Sequence, residues 1–431
     1  MKVLILAAGE GRRLRPITVK KPKPAIKVCG VPLILRNCAI LKELGLEICV
    51  VVGYKAEEII NILDKDVQVI YNGDIKKGNA YSVFCAKNLF KNEEKFLVLM
   101  GDHLYSPEFL KKAIKAPENT AIVCEQNEII EIEEATKVFT KNGQIVDIGK
   151  TIKDWHYIDT GAFMCTGNIF EILEKLFREK KTVEWSEIVK EAGMNIYVVN
   201  EAWMDIDTIE NYKTAEKILL KALIKPEDGF IAKIFNRKIS LRITKYLSTY
   251  DLSPNLISFF SFFLCIVAAC LFFLKSYLLG GIFAQFSSVI DGVDGEIARL
   301  KLKKSKFGGF YDALLDRYAD AFLLLGLFLS LPFNLFRFFS FFFALLGTFL
   351  ISYTTSKFYE TYNYRAESVE KYLRLLPGKR DERIFLIFIF SSLACFHLVF
   401  IDILLFTLAL LTNIRVAGRL LVARSLEGVL P

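Results

Sequence analysis

The chain has 431 residues, 53% of them hydrophobic, with 37 Phe, a mean hydropathy of +0.35 and a net charge of +8. That length leaves room for two or three domains, and the composition is too apolar for an ordinary soluble protein. The positive balance points to anionic partners, lipid headgroups or phosphorylated substrates, with no recognised nucleic-acid motif beside it, and nine Cys without a C-x-x-C pair argue against a disulfide framework and for a reducing compartment.

Residues 3–8 form an apolar run too short for a signal-peptide core, followed by Gly9-Glu10-Gly11, so the first half is expected to stay cytoplasmic. The same stretch reads as a buried strand running into a glycine-rich basic loop with Arg12, Arg13 and Arg15, then Pro22-Lys23-Pro24. In such loops backbone N–H groups approach phosphate oxygens and arginines neutralise them. Strands expected at 48–52, 67–71 and 96–100 alternate with helical patterns, the arrangement of a mostly parallel sheet covered on both faces. Ligands of such sheets sit at the carboxyl ends of strands. Asn72 follows one strand; Gly78, Asn79 and Ser82 open the next helix; Gly101, Asp102 and His103 follow another strand. Asp205 and Asp207, spaced i, i+2 on an extended segment, would share a face, so both could contribute to one site. His103 reads as a hydrogen-bonded structural residue, and 175–181 as a solvated helix face.

These stretches resemble the nucleotidyltransferase signature A-G-x-G-x-R-L-x-P...P-K and its later G-N-x-x-S segment. The resemblance implies an α/β Rossmann-like fold in which Arg13 and Lys23 hold the triphosphate and serve catalysis. It implies that Gly9, Gly11, Asn72, Gly78, Asn79, Ser82 and Gly101 surround the nucleotide. Asp102 falls where the family keeps its first magnesium-binding aspartate, Asp205 and Asp207 where the later acidic motif completes the metal site, and Gly161 near the acceptor pocket. Arg12 stands where many members carry a small residue.

Residues 225–251 interleave Ile231, Ile234, Phe235, Ile239 and Leu241 with Lys233, Arg237, Lys238, Arg242 and Lys245. This is the pattern of a helix lying on an anionic membrane surface, or of a linker helix packed on the first domain. The domains are thus expected at 1–224 and 252–431, with 225–251 between them. The last part holds six apolar stretches near the roughly 20 residues needed to cross a bilayer: about 255–275, 277–299, 307–330, 334–356, 384–400 and 402–424. Basic residues cluster before the first, between the second and third, and between the fourth and fifth, where Lys357, Arg365, Lys371, Arg374, Lys379, Arg380 and Arg383 lie. That asymmetry predicts both termini and both sites on the cytoplasmic side of the cell membrane.

Asp291, Asp294, Asp312 and Asp316 interrupt these runs. A carboxylate at membrane depth costs at least about 2.5 kcal/mol, so four of them call for a shared cation or a wet cavity. The i, i+3 and i, i+4 spacings put each pair on one helix face, and the small residues Gly295, Ala298 and Gly308 let a ligand approach. Asp320 lies one turn beyond. Lys379, Arg380 and Arg383 open the fifth stretch, where arginine forks suit a phosphomonoester or simply anchor the helix end.

The run resembles the CDP-alcohol phosphotransferase signature D-x2-D-G-x2-A-R-x8-G-x3-D-x3-D, matched at every specified position. The resemblance implies an all-α polytopic membrane domain of about six helices, dimeric, in which Asp291, Asp294 and Asp312, with Asp316, hold one or two divalent ions, Mg2+ or Mn2+. Asp316 would also be the general base. Gly295, Ala298, Arg299 and Gly308 would hold the nucleotide, and Lys379, Arg380 and Arg383 the acceptor phosphate.

The two halves together resemble the family of fused inositol-1-phosphate cytidylyltransferases and di-myo-inositol phosphate phosphate synthases. This implies CTP and inositol-1-phosphate as substrates, CDP-inositol as intermediate and a water-soluble compatible-solute precursor as product. The alternatives are a phospholipid synthase and a membrane-tethered nucleotide-binding protein without turnover. The full set of carboxylates argues against the latter.

Overall fold

One six-residue strand, β1 (Lys2–Ala7), feeds two cores: Val3, Ile5 and Ala7 pack with Ile34, Val50 and Leu99 on one side, and Leu4 and Leu6 with Val83, Phe96 and Phe163 on the other. A strand buried on both faces has no polar alternation to show, which is why it reads as a continuous apolar run. The computed structural model describes residues 1–11, 14, 18, 21–93, 95–126, 132–225, 228–364 and 378–426. Arg12, Arg13, Arg15, Arg365, Lys371 and Arg374 lie outside them. The chain divides into two units, Met1–Leu219 and Leu220–Pro431.

In the first unit β1 is followed by β2 (Lys27–Val28), β3 (Val31–Pro32), β4 (Glu47–Val52), β5 (Gln68–Tyr71), β6 (Phe96–Met100), β7 (His103–Tyr105) and β8 (Thr120–Cys124). Then come β9 (Lys137–Lys141), β10 (Gln144–Gly149), β11 (Tyr157–Cys165), β12 (Asn195–Val198) and β13 (Trp203–Asp205). The main sheet has the order β5-β4-β1-β6-β11-β8-β12-β10-β9. Its β5-β4-β1-β6 half is parallel, and β11 and β10 run against their neighbours. Around it lie α1 (Leu33–Glu43), α2 (Ala56–Ile60), α3 (Asn79–Phe84), α4 (Lys87–Phe90), α5 (Pro107–Ala113), α6 (Ile169–Glu179), α7 (Trp185–Glu191) and α8 (Ile209–Lys221). This is the Rossmann-like α/β architecture expected from the alternation of strands and helices.

The second unit is helical: α9 (Arg237–Leu247), α10 (Pro254–Phe273), α11 (Tyr277–Leu300), α12 (Lys306–Leu329), α13 (Leu335–Tyr362), α14 (Arg380–Leu393) and α15 (Val399–Leu426). By length and composition α10, α13 and α15 can cross a membrane. Their Phe259, Phe263, Phe339, Phe343 and Phe406 face outward, as side chains in contact with lipid would. Helices α11 and α12 have 24 residues each, about 36 Å, but carry the aspartates. The expected span at 384–400 differs most. Helix α14 has only 14 residues, about 21 Å, and stops at Leu393. There Ser391 and Ser392 both donate to the Phe388 carbonyl, at 3.1 and 2.7 Å.

Helix α10 packs against both α11 and α12, and α13 against α15. Arg337 of α13 forks onto Asp402 of α15 at 2.6 and 2.9 Å, so this charge is paired where it leaves water. Helix α9 belongs to the second unit. Its buried face is polar, Ser240 and Thr244, and it packs on α11, while Ile234 and Phe235 of the preceding turn are exposed.

Candidate active sites

The first site forms where the parallel strands end. Asp102 leaves β6, and β7 pairs antiparallel with β13 so that His103 faces Asp205, bringing together two carboxylates about a hundred residues apart in sequence. Lys23, fixed in a short turn between Pro22 and Pro24 and only 4% exposed, reaches Asp102, Asp205 and Asp207 at 2.8, 2.8 and 2.6 Å. Burial alone would lower its pKa, but Asp102, Asp205 and Asp207 together raise it well above the usual lysine value. Burial likewise works against ionisation of Asp102, yet Lys23 and His103 hold it well below the usual carboxylate range. His103 points Nδ1 at Asp102 (3.0 Å) and stacks on Trp203 with 5.8 Å between ring centres. It is engaged as the hydrogen-bonded residue the sequence suggested.

Two cavities meet at Asp102. One of about 300 Å³ is lined by Gly9, Gly11, Lys23, Asn72, Gly78, Asn79, Ser82 and Asp102, so the residues expected around a nucleotide line one pocket. Gly101 stands outside that lining, its N–H donating to Leu6 O at 2.9 Å, and Arg13 lies outside the described residues. Within the pocket Asn72 donates to Ser82 Oγ at 3.0 Å, and Asn79 Oδ1 accepts from the Trp185 N–H at 2.6 Å. Gly78, at φ +91, abuts the Val183 carbonyl where a Cβ would collide. The second cavity, of about 390 Å³, includes Asp159, Gly161, Lys150, Glu184, Trp203 and Asn211. Gly161, at φ +70, lies against His103, whose Nε2 would be 2.9 Å from an added Cβ. Burial pushes the Asp159 carboxyl up to about 6, although the Gly161 N–H donates to it at 3.0 Å.

The second site gathers at the ends of α11 and α12 that face each other across the 301–305 turn. Asp291, Asp294 and Asp312 each present an oxygen within 4.8 Å of the others, and Ser258 of α10 and the Gly295 N–H donate to Asp294. Arg380 of α14 reaches Asp291 at 2.8 Å and Asp316 at 2.7 Å. Arg383, 5% exposed, is committed to Asp320 (2.7 Å) and to the Gly378 carbonyl (2.9 Å), while Arg380 touches Asp291 and Asp316 directly. Lys379 caps the start of α14. Arg299 lies alongside Gly295 and donates to Leu223 O at 3.4 Å; Ala298 is half-buried one turn from Asp294. Gly308 donates to Ser305 Oγ at 2.9 Å in the first turn of α12, close to Asn255.

Several residues at these sites had not been singled out. Lys150 and Glu184 line the first site, in loops where a charged residue is ordinary. Glu296 occupies an unspecified position inside the aspartate signature. Arg415 packs against Gly378, and Arg419 donates to Ile351 O, Thr354 and Thr355 at 2.8, 2.9 and 2.6 Å. These two could have been found, since a cation inside an apolar run is itself a signal.

Both clusters suit a divalent cation. The second offers only carboxylate oxygens and the first adds an imidazole, donor sets of the kind Mg2+ or Mn2+ takes.

Fold and sites together define a transferase made of a nucleotidyltransferase unit and a CDP-alcohol phosphotransferase unit. Residues 2–222 match the family described as nucleotidyl transferase, and residues 251–414 that described as CDP-alcohol phosphatidyltransferase; both families generally use divalent metal ions. The chain belongs to the family of bifunctional IPC transferase and DIPP synthase proteins. It is 38% identical over 420 residues to the protein of that name from Aquifex aeolicus, covering 96% of each chain. It is also 38% identical over 426 residues to that of Archaeoglobus fulgidus, covering 98% of this chain and 84% of the relative. Among solved structures it is similar to the inositol-1-phosphate CTP transferase from T. maritima, at 30% identity, covering 50% of this chain and 95% of that one with a TM-score of 0.44.

Proposed function

We propose that the chain catalyses two consecutive reactions. In the first unit a phosphate oxygen of inositol-1-phosphate attacks the α-phosphorus of CTP, giving CDP-inositol and pyrophosphate. In the second a hydroxyl of an inositol phosphate attacks the inositol-linked phosphorus of CDP-inositol, giving di-myo-inositol phosphate phosphate and CMP. The observation that carries this reading is the presence of two clusters able to hold a metal, Asp102–His103–Asp205 and Asp291–Asp294–Asp312, in one chain that aligns nearly end to end with relatives named for both activities.

Each step draws on named side chains. Lys23 and Arg13 hold the triphosphate, and Gly9, Gly11, Gly78, Asn79 and Ser82 shape the nucleotide pocket with Asn72. Gly101 sets the backbone from which Asp102 projects. Gly161 opens the acceptor pocket, where Lys150, the one lysine or arginine lining it among the described residues, meets the inositol-bound phosphate. Mg2+ held by Asp102 with Asp205 or Asp207, and by Asp291, Asp294, Asp312 and Asp316, would neutralise charge on the phosphates. Asp316 takes the proton of the attacking hydroxyl, beside Gly295, Ala298, Arg299 and Gly308, which cradle the cytidine diphosphate. Arg380, with Arg383 and Lys379 behind it, faces the acceptor phosphate. The membrane unit is a multi-pass homodimer with both termini and both sites cytoplasmic, and the apolar residues before α9 rest on an anionic bilayer surface.

The test is where the product goes. Full-length protein in vesicles, given CTP, Mg2+ and inositol-1-phosphate, is expected to leave all new phosphodiester in the aqueous phase. Recovery of that product in the organic extract would replace this reading with phospholipid synthesis.

A further inference from the structure

Behind the aspartates of α11 sits a charge that the two reactions do not use. Glu296 is fully buried, and two residues along a helix is a rotation of about 200°, so it faces away from Asp294. Both its oxygens are engaged by α9. Arg237 and Ser240 donate to Oε1 at 2.5 and 2.7 Å, and Thr244 to Oε2 at 2.5 Å. Positions 237, 240 and 244 lie on one helix face. Arg237 is itself clasped by Asp228 at 2.8 and 3.0 Å, and its Nη1 approaches the Gly292 carbonyl at 3.5 Å. The arginine thus touches α11 on both sides of Asp294 in sequence.

A lone carboxylate at this depth would be costly. Ser240 and Thr244 face α11 from α9, and neutral hydroxyls alone can make such a contact, so attachment of α9 does not by itself call for a buried ion pair. What the arrangement does is fix the rotation and height of the α11 segment that carries Asp291 and Asp294, relative to the Asp312 and Asp316 presented by a different helix.

Resting on the functional reading above, we propose that the Arg237–Glu296 clamp positions the aspartate cluster of the second site, making Glu296 and Arg237 positioning residues for its divalent cation. The residues before α9 that expose Phe230, Ile234 and Phe235 then connect the surface on which they rest to the geometry of that site.

The experiment measures Mn2+ binding by electron paramagnetic resonance on the full chain. An Asp102→Ala background silences the first site, with melting temperature recorded in parallel. Outer partners of metal ligands typically change affinity by about 10–100-fold when replaced, so Glu296→Gln, which keeps shape and removes charge, is expected to weaken Mn2+ binding about tenfold. Arg237→Lys, which keeps charge and loses the fork, should fall between Glu296→Gln and the parent. A lowered melting temperature with unchanged Mn2+ affinity would overturn the proposal and leave the clamp as a docking contact. Should Glu296→Gln fail to fold, the Ser240→Ala/Thr244→Ala pair, which retains the ion pair, carries the same two outcomes with a smaller shift of about threefold, consistent with loss of neutral hydrogen bonds. If the parent itself bound no Mn2+ that Asp291→Asn abolishes, the functional reading would fail, and not the clamp.

Discussion

Asp316→Asn is expected to stop CMP release from supplied CDP-inositol while CDP-inositol formation from CTP continues. Asparagine keeps the shape of the side chain but cannot accept a proton from the attacking hydroxyl, and loss of a general base costs typically about 10²–10⁴-fold in rate. The position is exacting for a second reason. Asp316 lies 2.7 Å from Arg380, so the substitution also releases a cation that bridges to Asp291 at 2.8 Å. Following CMP and pyrophosphate in one preparation separates the outcomes. Loss of both activities in folded protein would mean the two reactions are not divided between the units.

Asp102→Ala is expected to do the reverse. The carboxylate is one of three around Lys23 and belongs to the only described cluster of the first unit that can hold a metal. Removing one preorganised charge from a phosphate-transfer site costs about 10²–10³-fold. Pyrophosphate release from CTP and inositol-1-phosphate should fall accordingly, and CMP release from supplied CDP-inositol should persist. A variant that still forms CDP-inositol at the parent rate would remove Asp102 from the site.

Residues whose chemistry fixes their type were the legible ones. Gly9, Gly11 and Lys23 converge on one pocket with Asn72, Asn79 and Ser82 because the strand ends they follow lie side by side in the parallel half of the sheet. The i, i+3 spacing of Asp291 and Asp294 and the i, i+4 spacing of Asp312 and Asp316 announced one face on each helix; oxygens of Asp291, Asp294 and Asp312 come together, while Asp316 lies outside that trio and meets Arg380. What stayed hidden depends on partners distant in sequence. The periodicity of residues 225–251 showed an amphipathic helix, but nothing in it could tell that Arg237, Ser240 and Thr244 would turn inward onto Glu296. Arg380 and Arg383 were visible as two forks; that Arg380 would reach Asp291 and Asp316 as well as Asp320, and Arg383 Asp320, follows from the way α14 lies beside α11. The apolar run at 384–400 has the length of a span, but the helix it makes ends at Leu393.

The central claim is that one chain makes a CDP-alcohol and then consumes it, and the fate of a labelled phosphorus tests it most directly. With [α-³²P]CTP and unlabelled inositol phosphates, full-length protein should pass the label first into CDP-inositol and then entirely into CMP, leaving the soluble phosphodiester unlabelled. Label appearing in the final diester, or CMP released with no labelled CDP-inositol before it, would contradict the account.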